Sequence, residues 1–143
     1  MSNRRITVNS AFAALNATPA KIPQRGIVYT ADSRIALCAL SSNACSGRRG
    51  FQRCWSALRD SSRQLLEDVA RSGGQAFVAF EAPGARFLFP WEFVSRLIAT
   101  DNSWGRDPIV IELAPTGNFA LVARGVRTNI DQYRLQASTA EAA

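Results

Sequence analysis

The chain has 143 residues, 47% of them hydrophobic and 20% charged, the composition of one packed domain and not of a disordered or fibrous segment. Its net charge is +6, and sixteen of its seventeen basic residues are Arg, Lys21 being the one lysine. With no histidine anywhere, serine-triad and Cys–His hydrolase chemistry lack their usual base.

Cys38, Cys45 and Cys54 are an odd number, which argues against a disulfide framework and, with histidine absent, against a Cys/His zinc site. Structural thiols are expected. The longest apolar runs, such as Ile109-Val110-Ile111, fall far short of the roughly 18 residues that a membrane span requires. After Arg4 and Arg5 the chain is interrupted by Thr7, Asn9, Ser10 and Asn16, a poor core for a signal peptide. The expectation is therefore a cytoplasmic protein with no membrane attachment.

In chain order, residues 1–25 are polar, small and Ala-rich, with Pro19 and Pro23 limiting any helix that Ser10 to Asn16 starts; they read as a partly flexible arm. Gly26 to Thr30 and Ile35 to Ser41 are β-branched or apolar runs around Ala31-Asp32-Ser33-Arg34, a hairpin signal. Ser42 to Gly50 is rich in turn formers and carries Arg48 and Arg49. Phe51, Trp55, Leu58, Leu65 and Val69 then recur at helical spacing, predicting a helix over about 51–72 that Gly73-Gly74 terminates. Gln75 to Glu81 and Ala85 to Phe89 flank Ala82-Pro83-Gly84 as a second hairpin. Pro90 suits the first turn of a helix over about 90–100, whose apolar face is Phe93, Val94, Leu97 and Ile98. A polar loop, Asp101 to Asp107, holds Trp104 and Arg106. Ile109 to Leu113 and Phe119 to Arg124 signal a third hairpin, and residues 135–143 read as a flexible tail. The order predicts an α+β domain over 26–134, an antiparallel sheet of about three hairpins with the two helices packed on one face.

Signature chemistry is scarce. Neither Gly-x-x-x-x-Gly-Lys-Ser/Thr nor Gly-x-Gly-x-x-Gly occurs, so no catalytic residue, cofactor or metal is expected. The helix-then-hairpin order over residues 51–100 resembles nuclease folds of the restriction-endonuclease type. That resemblance implies a divalent cation held near Glu81, with Asp60 or Glu67 approaching from the preceding helix, but the Glu-x-Lys element it requires reads Glu81-Ala82-Pro83.

Nucleic-acid binding requires only a basic surface and, for single strands, aromatic faces. Gly47-Arg48-Arg49-Gly50-Phe51-Gln52-Arg53 places three arginines at the expected loop-to-helix junction, where unpaired N–H groups and the helix dipole also attract phosphate. Arg48, Arg49, Arg53, Trp104 and Arg106 are thus the candidate contacts with DNA or RNA. Arg86, Arg124 and Arg127 extend the basic face if the strand register turns them to one side. Two other readings stay open: a protein-interaction domain that meets an acidic partner through the same arginines, and an Arg excess that reflects genome composition without function.

Overall fold

The computed structural model describes residues 3–20, 27–41, 44–48, 51–56, 58–82, 85–98, 109–113, 118–123 and 126–135. In chain order the elements are α1 (Asn3–Ala14), β1 (Ile27–Tyr29), β2 (Ile35–Ser41), β3 (Ala44–Arg48), β4 (Phe51–Ser56), α2 (Asp60–Arg71), β5 (Gln75–Ala82), β6 (Ala85–Pro90), α3 (Trp91–Ile98), β7 (Ile109–Leu113), β8 (Phe119–Ala123) and β9 (Val126–Asn129), followed by a single 3-10 turn at Asp131–Tyr133.

An apolar run without alternation needs cover on both sides of its strand. Ile35 to Leu40 is such a run, and it becomes β2, an inner strand of a four-stranded sheet ordered β1-β2-β5-β6. β1 pairs with it antiparallel, Ile27 opposite Cys38, and β5 pairs antiparallel with β6, Phe80 opposite Phe87. Between these hairpins β2 and β5 run parallel, from Ile35 opposite Gln75 to Ser41 opposite Glu81. The sheet is therefore mixed. This corrects the all-antiparallel expectation: a parallel pair needs a long crossover, and residues 42–74 supply it.

A second sheet, five strands ordered β3-β4-β7-β8-β9, is antiparallel throughout. Its presence overturns the helix expected from residue 51. Phe51 and Trp55 are four residues apart, a spacing that fits a helix face and equally one face of a strand. Pairing with β3 on one side and β7 on the other makes them strand, and α2 begins only at Asp60. α3 likewise starts at Trp91, with Pro90 still paired to Phe77 in β6.

The core follows from which strand positions meet which helix. One side of the four-stranded sheet presents Ala36, Cys38, Val78, Phe80, Phe87 and Phe89 to Leu66 of α2, to Trp91 and Val94 of α3, and to Phe119 and Leu121 of β8. Phe87 is the joint between the sheets. Its ring stacks at 5.8 Å on Phe89 and meets Phe119 edge-on at 5.0 Å. The other side packs Leu37 and Ala79 against Ala11 and Phe12 of α1.

That N-terminal helix starts seven residues before the Ser10 position marked in the sequence. Its polar composition is offset by buried residues on one side, of which Phe12, 1% exposed, is the largest, and burying such a residue contributes about 1.5–3 kcal/mol. α1 and α2 end alike. Asn16 (φ 54°) and Gly73 (φ 89°) adopt the left-handed conformation, while Ala17 N–H bonds Phe12 C=O at 3.0 Å and Gly74 N–H bonds Val69 C=O at 3.0 Å, the pattern that satisfies orphan carbonyls at a helix C-terminus. Gly73-Gly74 thus terminates α2 as its sequence predicts.

Cysteine parity misleads. Cys38 is a buried thiol outside any disulfide, as expected of a structural thiol, but Cys54 is disulfide-bonded. No helix of the described residues is long and apolar enough to cross a membrane.

Candidate nucleic-acid interface

The candidate arginines fall on the β3–β4 hairpin. Arg48 closes β3 opposite Phe51, and Arg53 stands in β4 between Ser46 of β3 and Glu112 of β7. Arg49, Trp104 and Arg106 lie outside the described residues, as do Lys21, Arg124 and the tail from 136. Because β4 occupies 51–56, the hairpin arginines are not at a helix N-terminus. The phosphate attraction expected there from the helix dipole no longer applies to them, and any anion affinity at Arg48 and Arg53 rests on their own charge.

What the register adds is a carboxylate. Glu112 interrupts the apolar run Ile109-Val110-Ile111-Glu112-Leu113, directly across from Arg53, and is 2% exposed. Burying an ionised carboxylate is costly without a charged, hydrogen-bonding partner. Arg127 of β9 provides one, its Nε donating to Glu112 Oε1 at 2.6 Å, while the Arg127 side chain remains 57% exposed. A guanidinium has five N–H donors in a rigid fork. Holding Nε on a buried acid fixes the plane of the fork at the surface. Sequence reasoning named Arg127 as an extension of the basic face but missed Glu112; the available signal was a lone acid inside an otherwise apolar strand.

Arg86 does not join this surface. Its Nε lies 3.1 Å from Thr7 Oγ1 and 3.5 Å from Glu81 Oε2, and Thr7 in turn donates to Glu81 at 3.1 Å. The triad fastens α1 to the β5–β6 hairpin. Glu81 is thereby occupied by a hydroxyl and a guanidinium. Glu67, offered as its metal-binding neighbour, instead accepts the Trp91 indole N–H at 2.6 Å and pairs with Arg71. Among the described residues no group of three or more His, Cys, Asp or Glu side chains stands where a metal ion could be held.

A separate, open depression of about 670 Å³ lies where β2 and β5 begin and α1 and α2 end, with Thr18, Thr30, Asp32, Arg34 and Gln75 on its walls. The Thr30 hydroxyl at 2.6 Å and the Arg34 N–H at 3.1 Å both donate to Asp32 Oδ1. Those two bonds hold the Asp32 carboxyl below its ordinary range. It is a turn stabilised by its own acid, with charges of both signs at the rim.

Comparison with protein-family models, with curated proteins and with solved structures finds no match to this chain.

Proposed function

We propose that the chain is a small, non-catalytic nucleic-acid-binding or regulatory module that meets the phosphates of DNA or RNA along the five-stranded sheet. Arg48, Arg53 and Arg127 are the contacts within that sheet, Arg49 and Arg106 contribute further charge, and Trp104 offers a stacking face for an unpaired base. The single observation that carries the reading is the Glu112–Arg127 pair. A guanidinium oriented by a buried carboxylate and over half exposed is pre-set for the planar, two-point contact with phosphate that distinguishes Arg from Lys. The sixteen-to-one preference for Arg over Lys agrees with a demand for that geometry.

The test is binding of fluorescent single- and double-stranded DNA and RNA across a salt series. Wild type is compared with an Arg48, Arg49, Arg53 triple alanine variant and with Arg127→Ala. Phosphate contacts predict that log affinity falls linearly with log salt, with a slope that loses about 0.9 per contact removed on duplex DNA and about 0.7 on a single strand. Trp104→Ala is expected to weaken single-stranded binding by about 1–3 kcal/mol per stacked base. Absence of binding at low salt overturns the proposal and transfers the same arginines to an acidic protein partner.

A further inference from the structure

β3 has the makings of a strand that does not hold by itself. It reads Ala44-Cys45-Ser46-Gly47-Arg48, without a β-branched or aromatic residue, and glycine and alanine are poor strand formers. It also stands at the end of its sheet, with β4 as its one neighbour among the described strands. Yet it carries Arg48, and its partner β4 carries Arg53.

Cys54 is disulfide-bonded, Cys38 is a buried thiol outside any disulfide, and the chain has three cysteines. The ladder sets Cys45 directly opposite Cys54. Directly opposed residues on antiparallel strands have Cβ atoms roughly 4.5–5.5 Å apart, close to the approximately 3.5–4.5 Å that a disulfide spans.

We propose that Cys45 and Cys54 form a reducible disulfide that clamps β3 onto β4, so that the redox state of the surroundings sets how firmly Arg48 and Arg53 are presented. The functional half rests on the nucleic-acid reading above; the clamp does not. Opening it needs a dithiol. One thiolate of the reductant attacks a sulfur of the bond and displaces the other cysteine as a thiolate, giving a mixed disulfide. The second thiol of the reductant then closes its own ring and expels the remaining cysteine. Two electrons and two protons pass to the chain, and the reductant leaves as a cyclic disulfide.

The experiment has two arms on the full chain. In the first, the unreduced protein is denatured, alkylated and cut with trypsin. The expected product is the peptide Ile35–Arg48, alkylated at Cys38, joined to Cys54–Arg59. Recovery of Cys54 alkylated, or joined to Cys38, overturns the pairing. In the second, backbone amide exchange and the salt-series affinity are followed before and after dithiothreitol. Exchange at residues 44–48 is expected to rise about tenfold or more while residues 75–82 stay protected, and affinity for DNA or RNA is expected to fall roughly tenfold as the preorganised hairpin loosens. Unchanged exchange at 44–48 refutes the clamp. A linked peptide and a redox-sensitive β3 in a protein that binds no nucleic acid support the clamp and refute the binding reading.

Discussion

Removing the Phe87 ring tests whether the two sheets share one core. The side chain is fully buried, stacks on Phe89 and meets Phe119 of the other sheet edge-on at 5.0 Å. A buried Phe replaced by Ala loses its transfer energy and leaves a cavity, together about 3–5 kcal/mol. Domains of this kind are stable by about 5–15 kcal/mol in total, so Phe87→Ala removes a large share of the margin. With a urea m-value near the middle of the usual range, about 2 kcal/mol/M, a loss of about 4 kcal/mol moves the unfolding midpoint down by about 2 M. Phe77→Ala is the control. Phe77 is half-buried, packs with the α1 cluster on the opposite side of the sheet, and is expected to cost about 1–2 kcal/mol. A double-mutant cycle with Phe87→Leu and Phe119→Leu isolates the edge-to-face contact, with an expected coupling of about 0.5–1.5 kcal/mol. The reasoning fails if Phe87→Ala costs under about 1 kcal/mol, or if the two leucine substitutions add without coupling, for then the sheets do not lean on each other through this ring.

Substitutions at Gly73, Gly74 and Tyr29 probe the helix end and the pH response. A Cβ on Gly74 would lie 2.6 Å from the Arg34 carbonyl oxygen and 2.9 Å from Val69 Cγ1, and that carbonyl is held by the Gln75 N–H at 2.7 Å; Gly74→Ala is expected to cost about 1–3 kcal/mol in thermal or urea melts. Gly73→Ala meets open space and fails for another reason, its φ of 89°, at about 1–2 kcal/mol; Asn, which tolerates that conformation, should recover part of the loss at 73 and none at 74. The Tyr29 hydroxyl titrates above its ordinary value of 10.0 because burial, and then the negative charge of Asp68, disfavour the phenolate. Its contribution is complete below the unfolded value and disappears as pH rises through the folded one. Stability should therefore decline on titration above about pH 10, and Tyr29→Phe should flatten that decline; equal alkaline slopes for the two proteins refute the assignment.

Local pairing was the legible part of the fold. The segments 27–41, 75–90 and 109–123 form antiparallel pairs because each has two apolar runs joined by turn-forming residues, and that information is contiguous. The β2–β5 pairing was not legible, since nothing near Ile35 indicates that its neighbour is Gln75. Its trace was the unbroken apolar run of β2, which implies cover on both faces. Helix α1 is only partly legible because residues 1–25 are polar and small, with Pro19 and Pro23 nearby, and its hold on the sheet comes from Phe12 and the Thr7–Glu81–Arg86 contacts, which span more than seventy residues. At the candidate site, Arg127 was visible as a charge, but its orientation depends on Glu112 through the register of three strands. The disulfide was hidden by arithmetic, because an odd count argues only that one cysteine is left over.

The chain also visits its two sheets in alternation. It lays down β1 and β2, crosses to the second sheet for β3 and β4, returns through α2 for β5 and β6, and crosses again for β7 to β9. Neither sheet is encoded by a continuous stretch of sequence. On a ribosome, the hairpin carrying Arg48 and Arg53 emerges before the strand that must flank it, β7, more than fifty residues later. Until β7 arrives, the open side of β4 is an unpaired edge, the kind of surface on which other nascent chains pair. A shortened chain ending after α3 would retain that exposed edge permanently.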